Sequence, residues 1–129
     1  MKYFVIAVMT VGLVAGLGMF QAAFEDKPKY TIEEVMEKAH SAPKGKDSLY
    51  KKVVNGKATK EQKKQLLEMY ESLAKNKPEK GTLEDWKKRT ANMVKAAKSV
   101  VDDKKDATKE LMKAVACKAC HDLHKGEEE

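Results

Sequence analysis

The two cysteines of the chain lie close together near its carboxyl end, in the sequence Cys117-Lys118-Ala119-Cys120-His121. This CxxCH spacing is the attachment pattern of c-type haem. Helix positions three apart share one face, so both thiols could bond to the two vinyl groups of a single porphyrin. His121 follows where its imidazole can reach the iron as the proximal ligand. The motif therefore predicts one covalent haem c, attached through Cys117 and Cys120.

The amino-terminal end has the layout of an export signal. Lys2 precedes an uncharged stretch from Tyr3 to Phe24, and the first acidic residue is Glu25. A stretch of this length could also span a bilayer, which takes about 20 apolar residues. We expect a signal peptide, or an uncleaved anchor, over residues 1–23, followed by a single haem domain over residues 24–129. Export to the periplasm agrees with the motif, because bacteria attach haem covalently outside the cytoplasm.

The charge balance bears on partners. The chain has 26 basic and 20 acidic residues, a formal net charge of +6, and Arg89 is its only arginine. No arginine cluster with interleaved aromatics supports nucleic-acid binding. The excess of lysine favours an acidic redox partner or an anionic surface, although a merely solvated lysine surface explains the same counts. No nucleophile, carboxylate pair or phosphate-binding loop indicates an enzyme.

The exported part shows apolar residues at helical spacing and no strand pattern. Threonines followed three residues later by a Glu, Gln or Asp predict three helix starts, at Thr31/Glu34, Thr59/Gln62 and Thr82/Asp85. A short helical piece carries Leu49 and Val53. A last helix is expected to run unbroken from Ala107 through the CxxCH motif. The fold class is therefore all-α, and four principal helices with short loops predict an antiparallel four-helix bundle with the haem on its last helix.

Trp86 and Tyr70 are expected to line the core. The apolar positions at helical spacing also include Val35, Leu66, Met69, Leu73, Leu83, Met93, Leu111, Met112 and Val115. His124, near the chain end, is expected to be exposed. Lys125 is expected either to pair with a haem propionate or to remain in solvent.

A helical bundle with CxxCH near the end of its last helix resembles the cytochrome c-prime family. The most specific part of the likeness is Cys117 to Lys125, because members commonly follow CxxCH with two residues, an aromatic and a basic residue. This chain differs in having His124 at the aromatic position, whereas Lys125 fits the basic one. The resemblance implies a class II c-type cytochrome of the four-helix type, with low-spin six-coordinate members among its relatives. It also implies a homodimer formed through the first two helices.

In such a bundle the first helix meets the opposite face of the haem. Ile32, Met36 and His40 are four apart, on one row of that helix. At 1.5 Å rise per residue, Met36 and His40 lie about 6 Å apart along the axis, so they cannot share one coordination site. Low-spin relatives carry a ligating methionine in this helix, which favours Met36 as the distal ligand, with His40 as the alternative. A filled site predicts an electron carrier, whereas an open site predicts binding of NO or CO.

Two other functional classes use the same residues. Cys117, Cys120, His124 and His40 could supply the ligands of a structural zinc module. A thiol oxidoreductase would also use a CxxC pair, placed at the start of a helix. It would be expected in a βαβ setting, and the sequence predicts no strand and a motif inside a continuous helix.

Overall fold

The structure is a computed structural model, and it describes residues 27–125. The expected leader over residues 1–23 lies outside this range. Within the range the chain forms helices and no strand, which confirms the all-α class. None of the helices there combines the length and apolar character needed to cross a bilayer. The helices are α1 (Ile32–Val35), which continues as a π-helical turn (Met36–His40), α2 (Leu49–Val54), α3 (Lys60–Lys75), α4 (Leu83–Val101), α5 (Ala107–Ala114) and α6 (Cys117–His124).

Threonine caps begin three of these helices where the sequence predicted them. In α1 and α3 the cap is reciprocal: the threonine hydroxyl accepts the N–H of the third helical residue, whose side chain accepts the threonine N–H. Thr82 caps α4 by accepting the N–H of Asp85 at 3.2 Å. Each cap satisfies N–H groups that would otherwise lack a partner.

The core forms where α3 packs along α4, with α5 against α4 and the shorter helices closing the remaining sides. Tyr70 and Trp86 are buried in it, as expected, and so are Val35, Leu66, Leu73 and Leu111 from the apolar positions. Two other apolar positions lie outside the core: Leu83 and Met112 are 43% and 49% exposed. Leu83 is the first residue of α4, and Met112 follows the buried Leu111 on the other side of α5.

The last helix is not continuous, contrary to the prediction. The Ala116 N–H donates to the Ala114 carbonyl at 3.1 Å. Val115 between them has φ −86° and ψ 76°, the geometry of an inverse γ-turn. Val115 stays buried while the backbone turns around it. The turn makes Cys117 the first residue of a separate helix, α6, whose direction is independent of α5.

The different exposure of two adjacent residues provides a test of how α5 packs. Leu111→Ala removes a fully buried side chain, so we expect the free energy of unfolding to fall by about 2–5 kcal/mol. Met112→Ala removes a half-exposed side chain from the same helix and should change it by less than about 1 kcal/mol. Urea unfolding of both variants measures the difference. Equal losses would contradict this packing of α5.

Candidate functional site

A cavity lies between the π-helical turn, α4 and the segment that joins α5 to α6. Its empty space measures about 560 Å³, counting the part that is open to solvent. The walls are largely apolar and include Leu73, Met93, Ala114 and Val115. All five residues that the sequence singled out as haem ligands or attachment points also line it: Met36, His40, Cys117, Cys120 and His121. The fold thus brings together both ends of the described chain.

Helix α6 presents the CxxCH motif to this cavity. Cys117 and His121 are exposed and Cys120 is half-buried, and both thiols are free. Burial, assisted by the charges of Asp85 and Cys117 and opposed by Arg89, raises the pKa of Cys120. The thiol of Cys120 therefore keeps its proton at neutral pH.

The π-helical turn carries the two candidate distal ligands. Met36 is the residue at which α1 changes into the π-helical turn, and His40 ends that turn. Val35 and Ala39, next to them in the sequence, are fully buried and anchor the turn in the core. Single π-helical turns are rare and frequently mark functional sites. Here the turn sets both Met36 and His40 against the cavity.

His40 is held in place by two tyrosines. Its Nε2 lies 3.2 Å from the hydroxyl oxygen of Tyr70, and its ring lies 5.8 Å from the Tyr70 ring and 5.1 Å from the Tyr50 ring. Burial raises the pKa of Tyr70, so its hydroxyl stays protonated and can donate to His40. Burial, and secondarily the charge of His121, lowers the pKa of His40. The His40 imidazole is therefore neutral at neutral pH.

His124 is buried, and the expectation that it is exposed is wrong. It is 4% exposed and lies edge-on to Trp86, with ring centroids 5.3 Å apart. Its Nδ1 is 2.9 Å from the carbonyl oxygen of Lys80 and its Nε2 is 2.7 Å from Asp85 Oδ2. A carbonyl oxygen and a carboxylate oxygen both accept hydrogen bonds, so each ring nitrogen of His124 faces an acceptor. We call this group of contacts, made by His124 with Lys80, Asp85 and Trp86, the His124 clasp.

Gly81 leaves the space that the clasp needs. Its φ is +83°, and a Cβ at this position would lie 2.6 Å from both His124 Nδ1 and the Leu123 carbonyl oxygen. Real Cβ atoms do not approach other atoms so closely, so only glycine allows α6 to lie against this loop. The glycine thereby determines how near the CxxCH helix comes to the start of α4.

Asp85 joins the clasp to the cavity wall. Its Oδ2 accepts from Arg89 Nε at 2.6 Å as well as from His124. The hydrogen bond from Arg89, followed by the one from His124, lowers the pKa of Asp85. Arg89 lines the cavity. One carboxylate thus connects the last helix to a charged residue beside the motif.

The residues proposed for a zinc module do not form one. Nowhere in residues 27–125 do three His, Cys, Asp or Glu side chains gather in a group that could hold a metal ion. Both nitrogens of His124 are already hydrogen-bonded in the clasp. The zinc hypothesis therefore receives no support from this arrangement.

Comparison with known proteins finds no protein family, no curated protein and no solved structure that matches this chain. The likeness to the cytochrome c-prime family thus remains a prediction from the sequence. The sequence does not predict the positions of Gly81, Asp85 and Arg89 beside the motif. The one signal for Arg89 was that it is the only arginine among many lysines.

Two glycines with the same backbone angle allow the contact with Gly81 to be tested. Gly45 and Gly81 both have φ +83°, but a Cβ on Gly45 would meet nothing within 4 Å. Gly45→Ala should therefore cost only the strain of this conformation, about 1 kcal/mol. Gly81→Ala should cost on the order of 3 kcal/mol or more, because it also pushes α6 away. Urea unfolding gives the two values, and the fluorescence of Trp86 should change only in Gly81→Ala. Equal losses would show that α6 does not lie against this loop.

The lowered pKa of Asp85 gives a prediction for pH. The ordinary value is about 3.9, so the Asp85 carboxylate stabilises the fold fully above that value and loses its effect as pH falls through the lower folded pKa. Asp85→Asn should lower the urea midpoint at pH 6, and the gap to wild type should be smaller at pH 3. Asp122→Asn, which alters an exposed carboxyl on α6, should leave the midpoint unchanged at both values. A gap of equal size at pH 3 would contradict the role of Asp85.

Proposed function

We propose that this chain is an exported c-type cytochrome that carries single electrons through one covalent haem. The observation that supports the proposal is the meeting, on one cavity, of the complete CxxCH motif from α6 with Met36 and His40 from the π-helical turn. Two thiols, an imidazole and a facing thioether or imidazole make up the donor set of a covalently bound, six-coordinate haem. We infer that the fold is of the cytochrome c-prime type.

The residues present fit such a group. The cavity has a largely apolar lining with a few polar groups, as cofactor pockets do. Cys117 and Cys120 would hold the porphyrin, each thiol adding its sulfur and its hydrogen across one vinyl double bond. This addition consumes no oxidant or reductant. Bound there, the haem supplies an iron that takes up and releases one electron.

The contacts of His40 favour Met36 as the distal ligand. The Nε2 atom of His40 is hydrogen-bonded to Tyr70, and binding iron through Nε2 would sacrifice that bond, worth about 0.5–1.5 kcal/mol. The thioether of Met36 makes no comparable bond and lines the same cavity. We therefore propose His121 as the proximal and Met36 as the distal ligand, with His40 as the alternative. Methionine and histidine ligation raises the reduction potential.

A dithiol oxidoreductase is the second candidate, because Cys117 opens a helix as that activity requires. One observation favours the cytochrome instead. The described residues contain no strand to form the βαβ setting of that class.

The remaining parts of the proposal follow from the sequence. The leader over residues 1–23 would deliver the haem domain to the periplasm, with membrane attachment only if the leader is retained. The net charge of +6 suits an acidic redox partner rather than nucleic acid. A homodimer through the first two helices is proposed on the family resemblance. We propose no enzymatic activity.

The visible spectrum of the ferrous protein, produced together with the c-type haem maturation machinery, tests the proposal. We expect sharp, split bands of a low-spin haem that carbon monoxide does not change, because the sixth site is filled. A broad high-spin spectrum that shifts with carbon monoxide would show that the sixth site is open. It would indicate a gas-binding protein instead of an electron carrier. Absence of any haem spectrum would reject the cytochrome and leave the dithiol activity.

Substitution of the two candidates then identifies the distal ligand. Met36→Ala should make the haem high-spin and reactive with carbon monoxide, whereas His40→Ala should leave it low-spin. Met112→Ala provides a matched control, since Met112 is 49% exposed and does not line the cavity. The opposite pattern would assign the ligand to His40.

A further inference from the structure

The only arginine of the chain lies on the wall of the cavity that holds the CxxCH motif. The side chain of Arg89 is 29% exposed, so a permanently charged group lies partly inside a largely apolar lining. Its Nε donates to Asp85 Oδ2 at 2.6 Å. Nε is one of several N–H donors on a guanidinium. The ion pair with Asp85 therefore leaves the two terminal amino groups of Arg89 for another acceptor.

The carboxylate that pairs with Arg89 is shared with a second residue. Asp85 Oδ2 lies within hydrogen-bond distance of both Arg89 Nε and His124 Nε2. No Asp or Glu is among the residues that line the cavity. The terminal amino groups of Arg89, at the edge of an apolar space, therefore favour an anionic acceptor in the cavity.

We propose that Arg89 binds a carboxylate of the molecule held in the cavity. This inference rests on the function proposed above, under which the carboxylate is a propionate of the haem. A guanidinium matches a carboxylate with two parallel hydrogen bonds, which a lysine ammonium cannot reproduce. Lys125, the residue considered from the sequence, does not line the cavity. Asp85 and His124 act as positioning residues that fix the guanidinium.

A comparison of two porphyrins tests this assignment on the full chain. The protein is produced without haem maturation, and its two cysteines are kept as free thiols. The probes are ferric haem and its dimethyl ester, in which both propionates are neutral. Binding is followed by quenching of Trp86 fluorescence, since Trp86 is the only tryptophan. Wild type should bind the free acid at least about tenfold more tightly than the ester, because a charge-assisted hydrogen bond is lost in the ester.

Three variants decide whether Arg89 causes this preference. Arg89→Gln should bring the ratio of the two affinities close to one, and Arg89→Lys should give an intermediate ratio. Lys88→Gln removes the same charge from the exposed neighbour and should keep the wild-type ratio. Circular dichroism checks that each variant is folded. If Arg89→Gln does not fold, the ratio of the two affinities measured for Arg89→Lys decides whether Arg89 causes the preference.

The outcomes separate this inference from the function on which it rests. If Arg89→Gln, or Arg89→Lys in its place, keeps the wild-type ratio, Arg89 does not bind the propionate and the cytochrome proposal stands. If wild type binds neither porphyrin, the proposed function fails and the assignment of Arg89 fails with it.

Discussion

The attachment of the last helix depends on His124. It is the one buried side chain of α6, and it reaches the Lys80 carbonyl and the Asp85 carboxylate at the start of α4. Because α6 is separated from α5 by the turn at Val115, the helix has no continuous backbone ladder to fix its direction. The His124 clasp supplies that direction, and Gly81 gives it room. The position of the CxxCH motif on the cavity follows from these contacts.

The two sides of the cavity differ in the charge of the groups that they carry. On the side of the π-helical turn, burial keeps His40 neutral and Tyr70 protonated. On the α4 side, Arg89 brings a permanent positive charge, held by Asp85. A neutral donor atom suits an iron ligand, and a cation at the edge suits an anionic substituent. The two sides thus differ in the way that we expect for the iron and the propionates of the proposed haem.

Much of this arrangement could be predicted from sequence. Apolar spacing and threonine caps predicted the helix starts at Thr31, Thr59 and Thr82, since both signals act within a few residues of one another. The sequence did not predict the turn after α5, because no glycine or proline marks it and Val115 continues the helical spacing. The burial of His124 was not predicted either, because it depends on Lys80 and Asp85, which are distant in the sequence. Local patterns therefore predicted the elements and the candidate ligands, whereas the contacts that position them are tertiary.

We expect one haem to be bonded to both cysteines of α6. The intact mass of the matured protein under denaturing conditions, measured after treatment with an excess of a thiol-alkylating reagent, tests it most directly. The expected mass is that of the chain plus one haem, with Cys117 and Cys120 both unalkylated. A chain without haem, with both cysteines alkylated, would contradict it.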